Sequence, residues 1–160
     1  NFIELVTIRK KTKGSNYLKK LDDEGISPFV LAHRIQSSPY AVEKCTHYVI
    51  SRAYREVGLS LIELRFNPIF RCSDGLYDMD KIVLSAIIGM QKALIEYPIK
   101  AGLILETDRQ FSIDKHWAIV KKAVKYKNLG VVGVDVSGPS PKDFKLDSLV
   151  EPLKFAKKMV

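Results

Sequence analysis

The chain has 160 residues, of which 46% are hydrophobic and 28% charged, and it carries a net charge of +8. This composition is typical of one soluble globular domain and excludes a disordered tail. The longest apolar run, at residues 82–90, is too short to cross a bilayer, and the first residues do not have the pattern of a secretion signal. Cys45 and Cys72 fit no metal-ligand pattern and indicate reduced thiols. We therefore expect a cytoplasmic protein without a membrane partner.

The positive charge raises the question of nucleic-acid binding. The densest basic run is RKKTKG, at residues 9–14. The other lysines occur in scattered pairs on predicted helices, and no aromatic residues alternate with them for base stacking. We therefore do not expect nucleic acid to be the main partner. A basic α/β scaffold without activity stays open as an alternative.

The first 37 residues predict helices rather than a strand. A short helix is expected at residues 2–12, then a Gly-Ser break, then a second helix over the stretch NYLKKLDDE. The apolar side of this second helix consists of Tyr17, Leu18 and Leu21. Without a strand before them, these residues resemble a helical insertion. We divide the chain into a helical segment at 1–37 and a strand-and-helix region at 38–160.

From Ser38 onward, helices and strands alternate. Ser38 and Pro39 predict the start of a helix that Gly58 ends. Strands are predicted at residues 59–68, 100–107 and 130–136, and helices at 78–97, after Ser112 and at 147–159. Such alternation indicates parallel βα units and an α/β fold. Three strands are too few to close an eight-stranded barrel, so the region looks like part of one.

All three predicted strands become polar at their carboxyl ends, where parallel α/β folds bind ligands. These ends read ELRFNP, ETDRQ, and Asp135 followed by Ser137 and Gly138. Alternation places Glu63 and Arg65 on one face of the first strand, where buried charges need partners. A structural ion-pair network is favoured over catalysis for this pair. Together the three ends predict the rim of a site.

Histidines and short motifs indicate no catalytic machinery in these residues. His33, His47 and His116 are isolated and match no metal-ligand spacing. No nucleophile elbow, phosphate loop or dinucleotide fingerprint follows a strand. The sequence therefore predicts the wall of a site, with no metal ligand of its own.

The strand motifs resemble those of the adenosine deaminase family. LIELRFNP, which contains Glu63, Arg65 and Pro68, resembles the second strand of these enzymes. VVGVDVSGP, with Asp135 and Gly138, resembles the fourth.

Three further stretches extend this resemblance over most of the chain. KAGLILETDRQ is similar to the third strand of the family, with Arg109 at its end. NYLKKL is similar to the lid helix over the purine pocket, and SSPYAVEKC to the start of the helix before the second strand. Arg65 and the SGPSP turn favour the nucleoside enzymes over the related adenine deaminases.

The resemblance implies a zinc-dependent hydrolase on a (β/α)8 TIM barrel that converts adenosine to inosine and ammonia. The chain would supply strands 2 to 4, preceded by the helical lid. In such chemistry the metal lowers the pKa of a bound water, and a carboxylic acid moves protons. The resemblance further implies that the N–H of Gly138 binds a purine nitrogen and that Tyr17, Leu18 and Leu21 cover the pocket.

The same resemblance gives bracing roles at the rim to Asp135, Glu63, Arg65 and Arg109. The zinc ligands of the family have no counterpart among these 160 residues. We therefore expect the chain to be an excerpt of a longer protein, and inactive when isolated. The alternative within the superfamily is a deaminase of another purine or nucleotide.

Overall fold

A computed structural model describes residues 28–140 and 146–157. The helices and strands follow in the order α1 (Pro28–Ile35), α2 (Pro39–Arg52), β1 (Leu61–Phe66), α3 (Met79–Glu96), β2 (Lys100–Asp108), α4 (Ile113–Lys125), β3 (Val131–Ser137) and α5 (Asp147–Ala156). The three strands form one parallel sheet in the order β1-β2-β3. The predicted α/β class and the predicted alternation are confirmed. Among the α-helices and strands of the described residues, α1 alone is not predicted from the sequence.

The predicted start and end of α2 are confirmed by local hydrogen bonds. The Ser38 side chain accepts a hydrogen bond from the Ala41 N–H at 3.1 Å, and Pro39 is the first helical residue. The helix continues through a π-helical turn, Ala53–Val57, and ends at Gly58, whose φ is +74°. Glycine adopts this φ most easily, because in other L-residues the β-carbon comes too close to the carbonyl oxygen of its own backbone.

The buried core lies between one face of the sheet and the helices. Residues of α3, β2 and α4 that are less than 2% exposed form its centre, among them Ile82, Met90, Leu103, Leu105 and Ile119. The opposite face of the sheet is open in the described residues, so that Leu61 is 60% exposed. This open face corresponds to the interior of a closed barrel, and it carries the polar strand ends.

The spacing of three and four between Val42, Cys45, Val49, Ala53 and Val57 predicts the apolar face of α2, and this prediction is wrong in two places. Val49 and Val57 are 43% and 69% exposed, whereas Ile50 is fully buried. Helix α2 packs through the face of Val42, Ile50 and Ala53, and the π-helical turn changes the phase of the residues after it.

Strand β3 carries one extra residue relative to β2. Leu103 pairs with Val131, but Ile104 pairs with Gly133, so Val132 has no partner of its own. From this bulge onward the pairing places Asp135 opposite Glu106. Without it, alternation would turn Asp135 toward the helices, because a shift of one residue exchanges the faces of a strand.

The predicted lid residues Tyr17, Leu18 and Leu21 lie outside the described residues. The division of the chain at residue 37 therefore stays a prediction. No helix in the described part of the chain is long and apolar enough to span a membrane.

Candidate functional site

Arg65 connects the carboxyl ends of all three strands. From β1, its Nη1 donates to Asp135 Oδ2 of β3 at 2.5 Å, and its Nε lies 3.2 Å from Glu106 Oε2 of β2. Glu106 also accepts a hydrogen bond from the Ser137 hydroxyl. We call Arg65, Glu106, Asp135 and Ser137 the rim network. Arg65 therefore has ion-pair partners, which the two neighbouring strands supply.

The electrostatics of the rim network suit support rather than proton transfer. The hydrogen bond with Asp135, followed by the charges of Glu106 and Asp135, raises the pKa of Arg65. The guanidinium stays charged and holds both carboxylates in place. Glu63 lies on the same open face, one residue pair nearer to the amino end, and is not among the partners of Arg65.

Gly138 begins the turn after β3 and is fixed by two contacts from the end of β2. The Arg109 N–H donates to the Ser137 carbonyl at 2.9 Å, and Arg109 Nη1 donates to the Gly138 carbonyl at 2.6 Å. The structure therefore brings Arg109 to the turn where the sequence analysis expects the purine contact. The Ser137 carbonyl and the Gly138 N–H belong to one planar peptide, so the hydrogen bond from the Arg109 N–H sets the orientation of the Gly138 N–H.

Asp108 is a residue of this rim that sequence reasoning missed. It is 6% exposed, and its Oδ1 accepts a hydrogen bond from the Gln110 N–H at 2.8 Å. A β-carbon on Gly138 would overlap the Asp108 carboxylate. The signal available in the sequence was the polar ETDRQ ending, but it did not show which residue of that ending faces the next turn.

An aromatic cluster lies beside the rim. The His33 ring of α1 stacks on Phe70 with ring centres 4.8 Å apart, and Phe70 meets Phe111 edge-on at 5.3 Å. The three rings line a cavity that also reaches the loop before α3. Helix α1 is thereby held over the carboxyl end of the sheet.

The histidines described by the structure are engaged in other contacts. His116 is 1% exposed, and its Nδ1 shares a hydrogen bond of 2.7 Å with Thr107 Oγ1. His47 Nε2 lies 2.9 Å from Glu96 Oε2. Within residues 28–140 and 146–157, no three His, Cys, Asp or Glu side chains come together in a way that could hold a metal ion. These residues do not fit the zinc that the resemblance implies, and its ligands would have to come from elsewhere.

The parallel βα units and the polar rim at the carboxyl ends of the strands define part of a (β/α)8 barrel. Solved structures show the same fold. The ADAL–IMP complex superposes with a TM-score of 0.74 at 21% identity, over 98% of this chain and 44% of that one. The apo N6-methyl-AMP deaminase of Arabidopsis thaliana has a TM-score of 0.70 at 21% identity, over 89% of this chain and 49% of that one. A zinc-bound amidohydrolase of Burkholderia ambifaria has a TM-score of 0.70 at 16% identity, over 82% of this chain and 36% of that one.

Curated sequence relatives are adenosine deaminases. Those of Clostridium botulinum strain 657 and Clostridium perfringens strain SM101 are 28% and 27% identical, over 89% and 86% of this chain and 44% and 39% of the relatives. That of Vibrio atlanticus is 30% identical over 72% of the chain and 34% of the relative. No family model matches the chain.

The resemblance to the adenosine deaminase family is confirmed, over less than half the length of these relatives. Zinc is the metal that this family implies.

Proposed function

We propose that the full-length protein hydrolyses the amino group from a purine nucleoside, with adenosine as substrate and inosine and ammonia as products. In this proposal the described residues supply a wall of the purine pocket, and the 160-residue chain alone is inactive. Cys45 and Cys72 are both free thiols, which is in keeping with a cytoplasmic enzyme.

The observation that carries the proposal is the fixed turn at Gly138. The Arg109 N–H holds the Ser137 carbonyl, which shares a planar peptide with the Gly138 N–H, and the Gly138 α-carbon lies against Asp108. The Gly138 N–H therefore has a set direction at the carboxyl end of β3. A backbone N–H that is positioned in advance can bind a ring nitrogen without paying an ordering entropy on association. The rim network keeps β3 in register beneath it.

The roles of the other rim residues follow from these contacts. Arg109 positions the Gly138 peptide, while Arg65 and Asp135 tie β1 to β3. Glu63 would line the open face deeper in the barrel. The proposed position of three further residues over the purine rests on the family resemblance alone; these residues are Tyr17, Leu18 and Leu21.

A second candidate substrate is a purine nucleoside monophosphate. It is favoured by the solved structures with the same fold, which include an N6-methyl-AMP deaminase and complexes with IMP and GMP. The two candidate substrates differ by one phosphate group, so a positively charged subsite near the rim would favour the monophosphate.

The test is a deamination assay on the full-length protein with adenosine, AMP and N6-methyl-AMP, followed by ultraviolet absorbance. We expect turnover of one of them, and a loss of tenfold or more in kcat/KM when Gly138→Ala disturbs the turn. Gly58→Ala is the matched control, because Gly58 has a similar φ but lies far along the chain from the rim. A full-length protein that deaminates none of the three would refute the proposal, as would equal effects of the two substitutions.

A further inference from the structure

Arg71 is a buried arginine with an unsatisfied guanidinium. It lies in the short 3-10 turn after β1 and is 9% exposed. Its Nη2 donates to Gln36 Oε1 at 3.1 Å, whereas its buried Nη1 has no hydrogen-bond partner among the described residues. Since a buried donor without an acceptor is costly, this nitrogen requires an acceptor that the described residues do not provide.

Among the described residues, no acidic side chain lines the cavity next to Arg71. It lies between α2 and β1, with Gln36, Cys45, Thr46, Arg65 and Arg71 as its polar lining and apolar side chains for the rest. Arg65 is neutralised by Glu106 and Asp135, but no carboxylate in the described part of the chain is paired with Arg71. The cavity therefore has a positive end at which the guanidinium of Arg71 contacts no carboxylate of the described residues.

Burial lowers the pKa of Arg71, and the negative charge of Glu106 opposes this only in part. An oxyanion in contact with Nη1 would restore both a charge partner and a hydrogen bond. Gln36 turns its amide oxygen to Arg71, which leaves its NH2 group as a second donor. A guanidinium fork beside an amide donor is an arrangement suited to phosphate.

We propose that Arg71 and Gln36 form an oxyanion site that takes a phosphate group in the cavity between α2 and β1. Arg65 belongs to both this cavity and the rim network, so the site adjoins the proposed purine wall. The phosphate could be that of a purine nucleotide or free inorganic phosphate. Only the first of these rests on the proposed function.

The experiment is a calorimetric titration of the full-length protein with inorganic phosphate, AMP and adenosine. We expect phosphate to bind and AMP to bind at least tenfold more tightly than adenosine, as charge-assisted hydrogen bonds would give. Arg71→Gln should weaken the binding of phosphate and of AMP tenfold or more and leave the affinity for adenosine unchanged. Arg71→Lys should lose less of the phosphate affinity, because lysine keeps the positive charge but not the two-pronged guanidinium.

Arg52→Gln is the matched control, since Arg52 is an exposed arginine of α2 that pairs with Glu56. We expect it to change none of the three affinities. Arg71→Gln should unfold at or above the wild-type temperature without phosphate, because it removes a buried unpaired charge. If this variant does not fold, Arg71→Lys decides the question through its phosphate affinity.

The outcomes separate the two sources of phosphate. Tight AMP binding that depends on Arg71 assigns the site to a nucleotide, and phosphate binding without an AMP preference assigns it to the free anion. An absence of phosphate binding, or binding that is equal in wild type and Arg71→Gln, overturns the proposal. A protein that binds phosphate through Arg71 yet deaminates no purine would refute the proposed function alone.

Discussion

Gly138 and Asp108 lie in such close contact that a β-carbon on the glycine would overlap the carboxylate. Gly138 also has a φ of +81°, a conformation that L-residues adopt at a cost. Space and backbone conformation therefore exclude a side chain independently. The two neighbouring strand ends, β2 and β3, meet at this point.

A comparison of Gly138→Ala with Gly58→Ala separates these two effects. Both glycines have positive φ, at +81° and +74°, but a β-carbon at Gly58 would meet no atom within 4 Å. We expect Gly58→Ala to cost about 1 kcal/mol in free energy of unfolding through backbone strain. Gly138→Ala should cost a further 1–3 kcal/mol, roughly, because of the overlap. Urea unfolding measures both, and equal costs would show that the Asp108 contact has no effect.

Gly102 provides the room that the bulge in β3 requires. A β-carbon there would lie 2.7 Å and 2.8 Å from the two methyl carbons of Val132, a stiff β-branched side chain. We expect Gly102→Ala to lower the free energy of unfolding by about 1–2 kcal/mol. Adding Val132→Ala should recover most of that loss, since Val132 is 51% exposed and contributes little to the core. The double-mutant cycle is the measurement, and additive costs would contradict the contact.

Because of Asp80, the free energy of unfolding should vary with pH in the acidic range. Hydrogen bonding from Lys122, at 2.7 Å, is the main cause that lowers the pKa of Asp80 to about 2, with Tyr126 and Lys125 assisting. Because this pKa lies below the unfolded value, the stabilisation is complete above about pH 4 and is lost as the pH falls toward 2. We expect Asp80→Asn to cost about 1–2 kcal/mol at neutral pH, allowing for solvent screening, and almost nothing near pH 2.

The control for this pH dependence is Asp74→Asn, at an exposed aspartate in the loop before α3. Asp74 has a φ of +54°, which asparagine adopts at least as readily as aspartate, so in unfolding by denaturant this variant should differ from the wild type by a nearly constant amount from pH 2 to pH 7. An Asp80→Asn effect that did not shrink toward pH 2 would show that its origin is not the carboxylate charge.

The buried pair of Thr107 and His116 gives a second dependence on pH. Burial lowers the pKa of His116, and the backbone of Phe111 partly opposes the shift. As the pH falls, the unfolded chain therefore takes up a proton on His116 at a higher pH than the folded chain does. The free energy of unfolding should decrease as the pH falls below about 6.5. We expect Thr107→Val to cost about 1–3 kcal/mol at pH 8, because the buried His116 Nδ1 loses its partner. Urea unfolding at pH 8 and pH 5.5 measures both effects.

His47→Gln is the control for this pair. The His47 side chain is 29% exposed and its partner Glu96 is 49% exposed, so the contact contributes less than about 1 kcal/mol. A His47→Gln cost equal to that of Thr107→Val would contradict the argument from burial.

The alternation of strands and helices and the polar strand ends could be predicted from the sequence. Apolar periodicity and residues such as Ser38, Pro39 and Gly58 act locally, so they fix where elements begin and end. The partners of Arg65 could not be predicted, because they depend on the register of three strands. The burial of Arg71 and Asp108 could not be predicted for a related reason. Whether a charged residue at the end of a strand is buried depends on which distant residues pack over it, and no local sequence pattern indicates this.

The bulge at Val132 makes the number of residues in β3 as important as their chemical type. Val131 before it faces the core, and after it Val134 packs against the core while Asp135 and Ser137 face the rim. Loss of one residue between Val131 and Asp135 would remove the need for the bulge, and regular pairing would still place Asp135 opposite Glu106. Loss of two residues would place Asp135 opposite Leu105, toward the helices, and Val136 opposite Glu106. A double deletion that removes no polar group would thus eliminate the rim network, whereas a single deletion would leave its register unchanged. The site is therefore specified partly by a count along the chain.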